Sequence, residues 1–129
     1  MIFLDTGFLY ALFRNSESYH DDAINIYRHY EKSNSIKVIN SVVLTEILNR
    51  SKKLNLLTTE LFDVLNEKTH IVFLSEEDLK RALLLSKDYG YAINFSDYTI
   101  IKTMQDLDIT RIISFDSDFD KIKGIERIH

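Results

Sequence analysis

Short apolar runs of strand type alternate with amphipathic helical stretches along this chain, and no other feature limits its fold as much. The runs cover residues 2–4, 36–40, 70–74 and 111–115, with a last edge strand expected over 125–128. Between them, apolar positions recur at helical spacing. Residues 8–13 form one apolar turn, and Ala23, Ile26, Tyr27 and Tyr30 share a face within residues 19–31. Ser41 is placed to cap a helix carrying Val43, Leu44, Ile47 and Leu48, and a further helix is expected around residues 59–66. Ser75 opens a helix whose acidic first turn, Glu76, Glu77 and Asp78, suits the helix dipole, with Leu79, Ala82, Leu83 and Leu85 as its apolar side. Residues 87–95, with Gly90, read as a loop, after which Ser96 caps a helix bearing Tyr98, Ile100, Ile101 and Met104. Residues 118–123 read as a short turn or helix. Strands alternating with helices in this way imply βαβ units, so the expected class is α/β: a mainly parallel sheet of about five strands flanked by helices on both faces. The chain has 129 residues, no proline, three glycines and no repeat or low-complexity stretch, so residues 1–129 read as a single domain.

The absence of cysteine excludes a disulfide framework, a zinc–thiolate site and a cysteine nucleophile, and fits a reducing cytoplasm. The apolar start lacks a basic leader segment and carries Asp5 within it, so it reads as folded sequence. No apolar stretch approaches the roughly 20 residues that cross a bilayer, and no membrane partner is expected. A net charge of −4 argues against binding nucleic acid by bulk electrostatics. It leaves open an enzyme whose acids converge on divalent cations, because the formal charge then overstates the potential a phosphate meets.

The acids have a pattern. In open parallel sheets the functional crevice lies beyond the carboxyl ends of the strands. Asp5 and Asp116 fall at two such exits, Asp97 opens a helix, and Glu46 sits in the first turns of another. Four elements thereby deliver carboxylates to one edge. Such a cluster repels itself unless protons or cations intervene, and an all-oxygen set without histidine suits magnesium or manganese rather than zinc. Each acid alone also has an ordinary structural role open to it. Asp5 can cap the following helix, Asp97 can favour its helix N-terminus, Glu46 can pair with Arg50, and Asp116, Asp118 and Asp120 can be solvated loop acids. The DSDFD run also imitates the first half of a calcium loop. It fails at the sixth position, Lys121 in place of glycine, and at the twelfth, Arg127 in place of glutamate. A phosphate-accepting receiver domain is excluded as well, for want of an acidic pair after the first strand and a lysine ending the last core strand.

Taken in order, FLDTGFLYALF, YHDDAINIY, VLTEIL around Glu46, NFSDYTI around Asp97, and IISFDSDFD followed by GIERI resemble the PIN-domain proteins. Among these the set is most similar to the VapC-type toxins of prokaryotic toxin–antitoxin pairs. The resemblance implies that Asp5, Glu46, Asp97 and Asp116 form an acidic catalytic and metal-binding quartet. It places Thr6 and Ser114 as supporting hydroxyls and Asp118 as a further acid of the same loop. His20 matches a histidine of the second helix and is read as structural. The implied activity is metal-dependent endoribonuclease hydrolysis of RNA with Mg2+ or Mn2+ as cofactor, and the implied partners are RNA, a small antitoxin and a second copy in a homodimer. Self-association is expected through Phe8, Tyr10, Phe13 and Tyr27, which look like more than a small domain needs to bury. Arg14, Arg50, Lys52 and Lys53 are candidates for flanking phosphates. An RNA-processing nuclease that is not a toxin, and a catalytically silent protein-binding module, are the competing readings.

Overall fold

The computed structural model describes all residues, Met1–His129. In chain order the elements are β1 (Ile2–Leu4), α1 (Thr6–Phe13), α2 (His20–Lys32), β2 (Lys37–Asn40), α3 (Ser41–Leu48), α4 (Thr58–Lys68), β3 (His70–Val72), α5 (Glu76–Asp88), α6 (Phe95–Asp106), β4 (Arg111–Ile113), a 3-10 turn (Ser117–Lys121) and β5 (Glu126–Ile128). All strand pairs are parallel, in the order β3-β2-β1-β4-β5, so the expected α/β class and the edge position of the last strand hold. No helix is long and apolar enough to cross a membrane.

The strand order sets the location of the site. From β1 the chain winds outward through β2 and β3, then crosses back to place β4 on the other side of β1. The crevice at such a reversal opens beyond the carboxyl ends of the two central strands. Phe3 pairs with Ile112 and Leu4 with Ile113, and the Asp5 N–H donates to the Ile113 carbonyl at 3.1 Å. Asp5 is therefore held in register with the end of β4, beside Ser114.

Helix termini depart from the sequence expectation in instructive ways. Asn40, not Ser41, caps α3: its Oδ1 accepts from the N–H groups of Val42 and Val43 at 3.1 and 3.0 Å. Helix α6 is capped two residues earlier than expected, at Asn94 instead of Ser96, and α5 extends to Asp88, shortening the expected 87–95 loop. Ser75 does cap α5, in a reciprocal box with Asp78. The apolar face expected for α5 holds at Ala82 and Leu85, which packs on the core, and fails at Leu79 and Leu83. Ala82 and Ser86 are its buried residues, while Leu79, Leu83 and Leu84 are exposed. The small residues at i,i+4 spacing lie deepest against the core, with Leu85 beside them, and the other three leucines are turned outward. Phe8 is likewise wholly buried, and Tyr10, Phe13 and Tyr27 pack on the core, so these are not surplus apolar surface.

Helix α6 is the most buried helix, with every residue from Asp97 to Met104 inside. Asn40, itself fully buried, ties it to the sheet edge by donating to Thr99 Oγ1 at 3.4 Å and Thr103 Oγ1 at 3.2 Å. One side chain thus caps α3 and positions the helix that carries Asp97. Asn40→Ala removes the cap, worth about 1 kcal/mol, and opens a small polar void. The expected loss is about 2–3 kcal/mol in urea denaturation; a loss under about 0.5 kcal/mol would refute this role.

Candidate active site

Beyond the carboxyl ends of β1 and β4 lies a cavity of ≈ 490 Å³ whose wall includes Asp5, Thr6, Glu46, Asp97 and Asp116. All four acids singled out in the sequence reach it. Asp5 leaves β1 with an extended backbone, caps α1 through the Thr6 N–H at 2.8 Å, and accepts from the Ser114 hydroxyl at 2.7 Å. Ser114 is fully buried and spans the strand reversal; its Oγ also accepts from the Asp116 N–H at 3.0 Å. Thr6 donates its hydroxyl to Glu46 Oε1 at 3.0 Å, which holds the α3 carboxylate against α1. The alternative pairing of Glu46 with Arg50 is not formed. The Arg50 guanidinium instead lies 4.7 Å from the centroid of the Tyr10 ring, at the wall of the same cavity.

A tighter group sits within this site. Carboxylate oxygens of Asp97, Asp116 and Asp118 all lie within 4.8 Å of one another. Asp97 is buried, and its Oδ2 has no hydrogen-bond partner. A buried polar atom without a partner costs free energy that a ligand at that point would recover. The remaining acid of the loop, Asp120, is drawn away by Arg127, which donates through Nε at 2.9 Å and Nη2 at 3.0 Å. Asp118 keeps one oxygen on Lys121 at 3.0 Å.

The electrostatics follow from this crowding. Burial pushes the Asp97 carboxyl up to about 7, and the charges of Asp5, Asp116, Asp118 and Glu46 add to the effect. Asp5 is also raised, again chiefly by burial, against the opposing hydrogen bonds from Ser114 and Thr6. Both carboxyls are thus harder to ionise than a free aspartate, and Asp97 keeps its proton up to about pH 7. All-oxygen donors, one buried acid with an orphaned oxygen, and mutual repulsion are together what a hard divalent cation relieves, so the residues fit magnesium or manganese.

The basic candidates separate. Arg50 reaches the acidic cavity, whereas Arg14 and Lys53 line a different cavity of ≈ 340 Å³, and Lys52 is simply exposed. Arg14 lies over Tyr10 as well and donates to its hydroxyl. His20 is structural, its Nδ1 lying 2.7 Å from the Ala11 carbonyl and joining α2 to α1. The sequence reading did not assign Tyr10, Glu17, Tyr19, Asn94 and Phe115 to the site, and all of them line the cavity. Only Asn94, ahead of a helical stretch, carried a local signal.

The match to known proteins agrees with this architecture. A family model for the PIN domain covers residues 2–125, and the chain belongs to that family. Among solved structures it is similar in fold to VapC20 of Mycobacterium tuberculosis, a sarcin–ricin loop cleaving toxin. That match has a TM-score of 0.74 and 19% identity over 93% of each chain. A toxin–antitoxin complex from Klebsiella pneumoniae matches with a TM-score of 0.74 and 20% identity over 98% of this chain and 96% of that one. VapBC2 from Rickettsia felis, bound to a promoter DNA fragment, matches with a TM-score of 0.70 and 18% identity over 100% of both. No curated protein matches significantly by sequence.

Proposed function

We propose that this protein is a divalent-metal-dependent endoribonuclease that hydrolyses RNA phosphodiester bonds, and the toxin of a VapBC-type pair. The observation that carries the reading is Asp97, a buried acid with an unpartnered oxygen, which has Asp116 and Asp118 close by and shares a cavity with Asp5, Glu46 and Asp116. Asp5, Asp97 and Asp116 would hold magnesium or manganese, with Asp118 beside them. The cation, when bound, activates water at neutral pH and stabilises charge on the phosphoryl group in flight.

The chain's own groups supply the rest. Thr6 fixes the Glu46 carboxylate, which is thereby oriented to accept a proton from the attacking water. Ser114 locks Asp5 in place, so the site is set before substrate arrives. Arg50, braced on Tyr10, presents a planar guanidinium to a phosphate flanking the cut. Arg14, over the same Tyr10 ring, stands beside it, whereas Lys53 lines a separate cavity and Lys52 is left out of the reading. The toxin assignment draws on the likeness of fold to VapC20 and the Klebsiella complex, and its partners are a small antitoxin and a second copy of the chain. A small gene for a DNA-binding antitoxin beside this one distinguishes that role from RNA processing.

The direct test is incubation of purified protein with end-labelled total cellular RNA in millimolar magnesium. Discrete fragments are expected, and chelation with EDTA should erase them. Fragmentation that persists in EDTA, or that never occurs with either magnesium or manganese, overturns the reading.

A further inference from the structure

Tyr19, just before α2, stacks its ring on that of Phe115, with centroids 4.6 Å apart and planes 11° from parallel. Phe115 is half-buried and rests in turn on the wholly buried Phe8, with centroids 6.2 Å apart. The pair is therefore backed by the core, while Tyr19 itself remains 51% exposed. Both rings line the acidic cavity. Both also line an adjoining cavity of ≈ 290 Å³, whose other walls are Asp22, Asn25, Ile26 and His129. An aromatic step thus divides the carboxylates from a second, partly polar recess.

A net charge of −4 argues against holding RNA by bulk attraction, so a grip independent of charge would add to the phosphate contact of Arg50. Stacking of an unpaired base on an aromatic ring is such a grip, and it acts on single-stranded RNA. We propose that Tyr19, backed by Phe115, is the stacking platform for the base of the nucleotide next to the scissile phosphate, with that base seated in the adjoining cavity. There the Asn25 amide offers a donor and an acceptor to the base edge. This inference rests on the ribonuclease reading above.

The test measures fluorescence anisotropy of an end-labelled, random-sequence, single-stranded RNA dodecamer, with calcium replacing magnesium and a gel confirming that the RNA stays intact. Its abasic counterpart serves as the second probe. Tyr19→Leu, which keeps an apolar contact with Phe115, should weaken binding of the base-bearing RNA at least about five-fold, the low end for one base–aromatic stack. Tyr19→Phe should bind as wild type does, and the abasic RNA should not distinguish the three proteins. Equal binding by wild type and Tyr19→Leu overturns the platform, as does an equal loss on the abasic strand. Either result leaves magnesium-dependent cleavage of total RNA by the wild type intact. Absence of that cleavage, by contrast, removes the ribonuclease reading and the platform with it.

Discussion

Asp97→Asn is expected to abolish RNA cleavage and at the same time to make the metal-free protein more stable at alkaline pH. The two effects have one origin. Asp97 has an Oδ2 without a partner, and its burial, with the charges of four other carboxylates added, raises its titration to about 7. Because the native pKa lies above the ordinary value of 3.8, the folded state holds a proton that the unfolded chain releases between about pH 4 and pH 7. Stability contributed by this group is therefore lost as pH rises through that window, and above pH 7 the full cost of a buried charge is carried. Asparagine never ionises and escapes that cost. Thermal melts in EDTA should accordingly place the variant above the wild type at pH 8, and the gap should close at pH 5. Cleavage should fall by more than about 100-fold, since even groups that only orient metal ligands cost 10- to 100-fold when removed. Full activity in Asp97→Asn, or a melting point lower than wild type at pH 8, would contradict this account of the site.

The second expectation concerns the cation. At pH 8 Asp97 carries a buried charge, and magnesium or manganese bound only to the native state should raise the melting temperature. At a hundred times its dissociation constant a ligand contributes about 2.7 kcal/mol, which for a chain of this size is on the order of 10 °C. Protons compete for the same oxygens, so the shift should shrink toward pH 5, where Asp97 is protonated. It should also be small in Asp97→Asn at every pH. Melts of both proteins across this range, with and without manganese, measure all of this in one plate. Equal manganese shifts in wild type and variant would place the cation elsewhere on the molecule.

These expectations draw unequally on sequence and structure. The alternation of strand-type runs with helical stretches was enough for an α/β class with a parallel sheet, because periodicity of two and of 3.6 is a local property that survives folding. The placement of Asp5, Glu46, Asp97 and Asp116 at one edge was legible for a related reason. In a parallel sheet every strand exit faces the same side, so acids at successive exits must approach each other.

What periodicity could not supply was which neighbour each side chain meets. Leu79 and Leu83 fit the apolar face of α5 by spacing, yet the small Ala82 and Ser86 are its buried residues, and the leucines stay outside. Asn40 looked like the end of a strand, and only its position beneath α6 makes it both a cap and a brace. The run DSDFD offers three acids of equal appearance. Arg127 removes Asp120 from the group, whereas Asp116 and Asp118 meet Asp97 from a different helix. Glu46 had Arg50 one helical turn away, but α1 supplied Thr6 as its partner and Tyr10 as the support for Arg50. Local sequence determined the elements and the edge on which the acids emerge. Tertiary packing, including the crossing back of the chain from β3 to β4, decided the pairings, because hydrogen bonds and carboxylate repulsion act between atoms a few ångströms apart, whatever their separation along the chain.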